Sequence, residues 1–385
     1  MHIAFDGTTL RPGRTGVGYY TEHLLRAASA QSGDDEVTVF SNRQIETASP
    51  LPANVRQLVS GGRLPRFLWM QMQAPRLVRG IRADVVHFTN GMVPIAWSVP
   101  TIVTIHDMSL TMFPGFHPAR RVLLNRPFVN LAARRADAII TVSEAAKRDI
   151  VRLYGIDGAR VHVVHEAAAP SFRVIHDQGE LRRVRERWGL AGRFILYVGT
   201  IEPRKNLPTL IEAFARRRVA GDLPHQLVCV GPYGWLSADV EGLIDRLHVR
   251  DAVTFTGYVP FEDLPAIYNL AELFVFPSVY EGFGLPVVEA MACGTPVLTG
   301  HVAALSEVAG GAAAEVASLD VESLGDAIAA VTSDRARRED LARRGLQRAQ
   351  MFSWERAATE TLKVYRSAVA RPVTARADAQ AALHS

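Results

Sequence analysis

At 385 residues, with hydrophobic residues at 48% and charged residues at 21%, the chain is long enough for two globular domains and too balanced to be disordered, collagen-like or a disulfide-stapled miniprotein. Two cysteines, Cys229 and Cys293, provide neither a disulfide framework nor a thiolate metal site, which fits a reducing compartment. The net charge of +4 is uneven: residues 1–180 hold 20 basic against 15 acidic residues, and the remainder 23 against 24. Arginine makes up 40 of the 43 basic residues, but no basic motif of a nucleic-acid reader accompanies it, so no nucleic-acid partner is expected. The opening MHIAFDGTTL reads as lacking a leader, and no run of about 18 apolar residues occurs, so a cytoplasmic protein is expected.

Short β-branched runs alternate with longer amphipathic segments, the pattern of βα units building parallel sheets. The first series predicts strands at 2–6, 37–41, 84–88, 101–106, 138–143 and 161–165. The second predicts strands at 194–199, 226–231, 252–257, 273–277 and 295–299. Their nearly continuous apolar character suits strands covered by helices on both faces. The fold class is α/β, with two Rossmann-like doubly wound domains facing across a cleft. The expected boundaries are 1–170, 171–352, a last helix over 353–370 and a frayed tail over 371–385. In such sheets ligands bind beyond the strand C-termini, so the loops that follow strands are where chemistry is expected.

The first of these loops, Gly13-Arg14-Thr15-Gly16-Val17-Gly18, opens a helix whose N-terminal amides suit a phosphate. A simple turn is the competing reading. A dinucleotide site would need an acid ending the second strand, where Phe40-Ser41-Asn42 stands instead. Gly199-Thr200-Ile201-Glu202-Pro203-Arg204-Lys205-Asn206 puts a guanidinium and an ammonium at a strand-to-helix switch, a pair able to neutralise a diphosphate. From Pro277 to Pro296, a loop carries Glu281, Gly282 and Gly284, and the helix after it carries Glu289. Carboxylates of this kind accept from sugar or ribose hydroxyls, while free amides at the helix start suit a phosphate. No Ser or Thr stands three residues before Glu289, which argues against a helix cap there.

The segments GVGYYTEHLL, GTIEPRKNLPTLIEAF, VTFTGYV and FPSVYEGFGLPVVEAMACGTPVL closely resemble glycosyltransferase family 4, retaining enzymes of the two-domain GT-B fold. The resemblance runs from residue 2 to about 366, and Glu281 and Glu289 match the family's E-x7-E pair. It implies that Arg204 and Lys205 bind the donor diphosphate with Thr200 nearby. Glu281 would hold hydroxyls of the transferred sugar beside the backbone of Gly282, Phe283, Gly284 and Leu285. Glu289 would hold the ribose, Tyr258 and Val259 would line the base pocket, and Gly16 and Gly18 would admit the phosphate or acceptor. Val17 departs from the commoner paired-glycine form of that first loop. The helix opening at FSWERA would cross back onto the first domain.

His106 ends the strand at 101–106 and Asp107 follows it, where an acceptor hydroxyl should enter. Their HD-x-S segment, followed by FPGFHP, resembles the bacterial mannosyltransferase branch that builds O-antigen and exopolysaccharide. A GDP-linked mannose-type donor and a glycan or lipid-linked acceptor follow from that resemblance. No Asp-x-Asp stands at a strand end, so no metal is expected and Arg204 and Lys205 substitute for one; the nucleotide sugar is a co-substrate and no other cofactor is expected. A nucleotide-sugar epimerase and a non-catalytic sugar-nucleotide-binding protein are the alternatives. Residues 63–79 mix Arg63, Arg66, Arg76 and Arg79 with large apolar side chains, which reads either as a core helix with a solvated face or as peripheral contact with the cytoplasmic membrane face.

Overall fold

The computed structural model describes residues 1–12, 16–61, 64–95, 99–236 and 239–370. They form two compact units. One comprises Met1–Met108, Arg120–Glu166 and the chain from Ser353 onward; the other comprises Ser109–Ala119 and Ala167–Phe352.

The first unit is built on a parallel sheet of β1 (His2–Asp6), β2 (Glu36–Ser41), β3 (Val55–Val59), β4 (Val85–Phe88), β5 (Thr101–Ile105), β6 (Ala138–Thr141) and β7 (Val161–Val163), in the order β3-β2-β1-β4-β5-β6-β7. The second holds β8 (Phe194–Val198), β9 (Gln226–Val230), β10 (Val253–Gly257), β11 (Leu273–Phe276), β12 (Val297–Gly300) and β13 (Ala314–Val316), in the order β10-β9-β8-β11-β12-β13. All pairings are parallel, and central strands such as β5, β8 and β11 are buried along their whole length. The order reverses between β1 and β4 in one sheet and between β8 and β11 in the other. Within each sheet taken by itself, a ligand is expected outside the carboxyl ends of its two switch-point strands.

Two strands were not expected from the sequence. β3 is a sheet edge whose Arg56, Gln57 and Val59 are exposed, so it lacks the apolar run of its neighbours. β13 is only three residues long and follows two glycines. The charged stretch after residue 170 becomes helix Gln178–Arg187, capped by Asp177 and tied to the fully buried Asp263 by Arg183 at 3.0 Å and Arg187 at 2.8 Å. The final helix, Trp354–Ala370, belongs to the first unit. Its Trp354 stacks on His23 and meets the Tyr20 ring edgewise, and its Tyr365 hydroxyl lies 2.6 Å from Nδ1 of His87 on β4. The tail at 371–385, with Gly13, Arg14, Thr15 and Arg63, lies outside the described residues.

Candidate functional site

In the second unit, the loops after β8 and β11 meet at the switch point. Pro203–Lys205 forms a single tight turn, and Asn206, with φ +55°, redirects the chain into helix Leu207–Val219. This turn swings Arg204 and Lys205 under the β11 loop, whose Val279 amide donates to the Arg204 carbonyl at 3.0 Å. Glu281 then receives both cations: Nη1 of Arg204 and Nζ of Lys205 each stand 2.7 Å from one of its oxygens. Arg204 also donates to the Tyr280 carbonyl at 2.9 Å and to Glu202 at 2.8 Å, and the Lys205 ammonium sits 4.7 Å from the centroid of the Phe276 ring.

Glu202, Lys205 and Glu281 are buried and Arg204 is half-buried, which makes their pairing obligatory. Burial pushes the Glu281 carboxyl up, but the charges of Arg204 and Lys205 and the hydrogen bonds it accepts bring it below its ordinary value, so it stays ionised. Burial pulls the Lys205 ammonium down, opposed by Glu281. With Glu202, two carboxylates face two cations, and Glu202 Oε2 is buried with no donor. Glu202 carries no separate signal in the sequence beyond its place two residues before Arg204.

Gly284 has φ +102° and caps helix Leu285–Ala292, where a side chain would begin 2.5 Å from Leu305 Cδ2. Pro286 in the first turn has no N–H to satisfy, no side chain caps the helix, and the Val287 amide donates to the Gly284 carbonyl at 2.8 Å. Gly282 and Phe283 are buried beside Glu281, and Phe283 meets the Phe352 ring edgewise. Glu289 is buried on the same helix and accepts from the Tyr268 hydroxyl at 3.0 Å. Thr200 packs against the loop after β9: a β-carbon at Gly234 would fall 2.6 Å from its Cγ2. At Gly231, φ +137°, a β-carbon would fall 2.2 Å from the Gly199 carbonyl oxygen. The structure thus gathers Thr200, Arg204, Lys205, Glu281 and the start of helix Leu285–Ala292. Tyr258 is exposed and Val259 buried, just after the β10 end, where Gly257 accepts from the Gly231 amide.

In the first unit, His106 follows β5. Its Nε2 stands 3.0 Å from the Thr89 carbonyl and its Nδ1 3.1 Å from Glu166 Oε1, with the Tyr20 ring edge-on at 4.6 Å. A carbonyl only accepts, so Nε2 carries a proton; an ionised carboxylate also only accepts, so Nδ1 carries one too. Burial lowers the pKa of His106, yet the Glu166 hydrogen bond and charge, the Thr89 carbonyl and the charge of Asp107 raise it above its ordinary value. Both ring nitrogens are therefore engaged within the unit, and Glu166 is a partner the sequence did not single out. Gly16 opens helix Gly16–Gln31 in open space, and Gly18 is buried on it.

Behind this pair runs a buried chain of hydrogen bonds. Tyr20 hydroxyl lies 3.0 Å from Thr104, Thr104 2.7 Å from His87 Nε2, and His87 Nδ1 meets Tyr365. Burial, with a smaller push from the His106 charge, lowers the His87 pKa to about 3, so that ring is neutral.

Residues 14–171 match the family model described as Glycosyltransferase Family 4, and residues 181–348 the one described as Glycosyl transferases group 1. O-antigen chain mannosyltransferase B of Escherichia coli is 31% identical over 381 residues, covering 95% of this chain and 100% of that protein. Serotype-specific mannosyltransferase WbdA of Escherichia coli is 33% identical over 92% of this chain, which spans only 46% of that longer relative. Among solved structures, sucrose-phosphate synthase from Thermosynechococcus elongatus superposes with a TM-score of 0.75 at 22% identity, covering 95% of this chain and 98% of its own, a likeness of fold. With both family models matched in tandem and a full-length relative at this identity, the chain belongs to glycosyltransferase family 4 and has its GT-B fold.

Proposed function

We propose that this glycosyltransferase moves a mannose-type hexose from a GDP-linked sugar to a hydroxyl of a lipid-linked or polysaccharide glycan, retaining the anomeric configuration and needing no metal. The observation that carries the reading is the ion-paired Arg204–Lys205–Glu281 cluster at the β8/β11 switch point, beside the start of helix Leu285–Ala292. Arg204 and Lys205 hold the diphosphate and stabilise its growing charge as the sugar departs. Glu281 takes the hydroxyls of the sugar, Glu289 those of the ribose, and Tyr258 and Val259 flank the base, while Thr200 and the Gly282–Leu285 backbone close around the phosphates. His106 and Asp107 serve the acceptor side together with Gly16 and Gly18. No side chain of the cluster is needed as a covalent nucleophile when the leaving phosphate accepts the proton of the acceptor.

The mannose assignment draws on the names of the relatives. A thermal-shift panel of GDP-, UDP- and ADP-sugars tests it, because a ligand stabilises the fold in proportion to its occupancy. Selective stabilisation by GDP-mannose, with transfer that persists in EDTA, is the expected outcome; release of a free epimer without acceptor overturns transfer in favour of epimerisation.

Peripheral contact with an anionic membrane surface belongs to the same reading. No helix of the described residues is long and apolar enough to cross a membrane. Residues 64–80 and helix Ala119–Arg135 hold eight arginines and no carboxylate, and Phe67 meets Phe128 at 4.6 Å, joining the two segments. Leu68, Met72, Leu123 and Leu124 are exposed there. Arg66 is not part of that surface, because its guanidinium is buried toward Asp6. Flotation with anionic liposomes, lost when Leu123 and Leu124 become Ser, is the check.

A further inference from the structure

Ser109–Ala119, which carries the FPGFHP motif at 113–118, interrupts the first unit in sequence and packs with the second. It is folded on itself. The Phe113 amide donates to the Ser109 carbonyl at 2.8 Å, and Pro114–Phe116 makes one tight turn. The rings of Phe113 and Phe116 stack at 5.4 Å, and Nε2 of the buried His117 lies 3.1 Å from the Ser109 hydroxyl. The aromatic rings are thereby held in one arrangement instead of being presented on a loose loop.

Two side chains of the second unit receive this segment. The Trp235 indole N–H donates to the Phe116 carbonyl at 2.8 Å, and the His117 ring stacks on the Trp235 ring with centroids 5.8 Å apart. Phe113 packs against Tyr280 with centroids 5.2 Å apart, a separation at which aromatic rings attract. Both partners adjoin the Arg204–Glu281 pair. Trp235 stands in the loop after β9, which is zipped to the Arg204 loop: the Ile201 amide donates to the Pro232 carbonyl and the Gly234 amide to the Ile201 carbonyl, each at 3.0 Å. Tyr280 immediately precedes Glu281, and its carbonyl accepts from Arg204 at 2.9 Å.

Residues 277–284 lie in neither strand nor helix, so no ladder of backbone bonds holds them and side-chain packing must. The buried Tyr280 ring and the Tyr280 carbonyl turn on the same backbone dihedrals. Fixing the ring fixes the aim of the carbonyl, and with it the direction from which Arg204 reaches Glu281.

We propose that Phe113 is a positioning residue for the Arg204–Glu281 pair: acting through Tyr280, it sets where the β11 loop presents Glu281, with Trp235 anchoring the segment that carries it. That the pair so positioned grips a donor diphosphate rests on the transferase reading; the brace on the loop does not.

The test uses the full chain. Hydrogen–deuterium exchange of the amides of 278–284 and GDP affinity by titration calorimetry are compared in wild type, Phe113→Ala, Phe113→Tyr and Trp235→Phe, the last keeping a ring but losing its N–H. Phe113→Ala should speed exchange in 278–284 about tenfold, leave the β8 amides unchanged, and weaken GDP about tenfold. Phe113→Tyr should match wild type in both, and Trp235→Phe should show a smaller effect of the same sign. If Phe113→Ala fails to fold, Phe113→Leu and Trp235→Phe carry the comparison. Unchanged exchange in 278–284, faster exchange with undiminished GDP affinity, or a loss of affinity that Phe113→Tyr shares overturns the proposal. If the wild-type chain binds no GDP while exchange responds as stated, the donor reading fails and the brace on the β11 loop stands.

Discussion

Glu166 Oε1 lies 3.1 Å from Nδ1 of His106, while the opposite nitrogen of that ring donates to the Thr89 carbonyl at 3.0 Å. The folded state thereby raises the His106 pKa above its unfolded value of about 6.5. The resulting stabilisation is complete below that unfolded value and disappears as pH climbs through the raised folded one. Glu166→Gln should cost about 1–3 kcal/mol near pH 6, and the gap to wild type should narrow by pH 9, as measured by urea denaturation at each pH. A gap that widens with pH contradicts the assignment.

Glu281 accepts from both cations of the site, Arg204 and Lys205, at 2.7 Å each. Replacing it with Gln keeps the shape but removes the charge that orients Arg204 and Lys205. Turnover should fall by about a hundredfold or more while circular dichroism stays unchanged. Near-normal kcat in a folded Glu281→Gln sample excludes its role in transfer.

Gly284 and Gly16 make an internal control. At 284 the backbone has φ +102° and a β-carbon strikes Leu305, whereas at 16 it meets nothing within 4 Å. Gly284→Ala should lose roughly 2–3 kcal/mol together with donor-dependent thermal stabilisation. Gly16→Ala should remain within about 1 kcal/mol of wild type. The reverse order of melting temperatures refutes this account of the helix start.

Tyr365 is the sole contact by which the last helix engages His87 through a hydrogen bond among the described residues. Tyr365→Phe leaves a buried imidazole nitrogen unmatched and should destabilise the chain by about 1–3 kcal/mol, with donor stabilisation in thermal shift retained. An unchanged unfolding midpoint means the bond contributes nothing.

The sequence made the central strands legible because each is a short, nearly pure apolar run between helices, and it made Arg204, Lys205, Glu281 and Glu289 legible because they crowd into two continuous motifs. What it hid depends on topology. Glu166 meets His106 across 60 residues, and Tyr365 meets His87 across 278. No local spacing encodes such encounters. A trace was present: His87 in VVHF and Thr104 in TIVTI are polar groups inside buried strands, and such groups require partners. Arg66 reads as a surface arginine for the same reason, since only the packing of its helix turns it toward Asp6. The edge strand β3 escaped notice because its exposed face looks like a loop.

Gly231 imposes a permanent bar on drift. The oxygen of residue 199 lies 2.2 Å from where any other amino acid at 231 would start its side chain, so every change of amino acid there collides with main chain. Descendants of this gene should keep glycine at 231, and a deep mutational scan would register every other amino acid there as depleted.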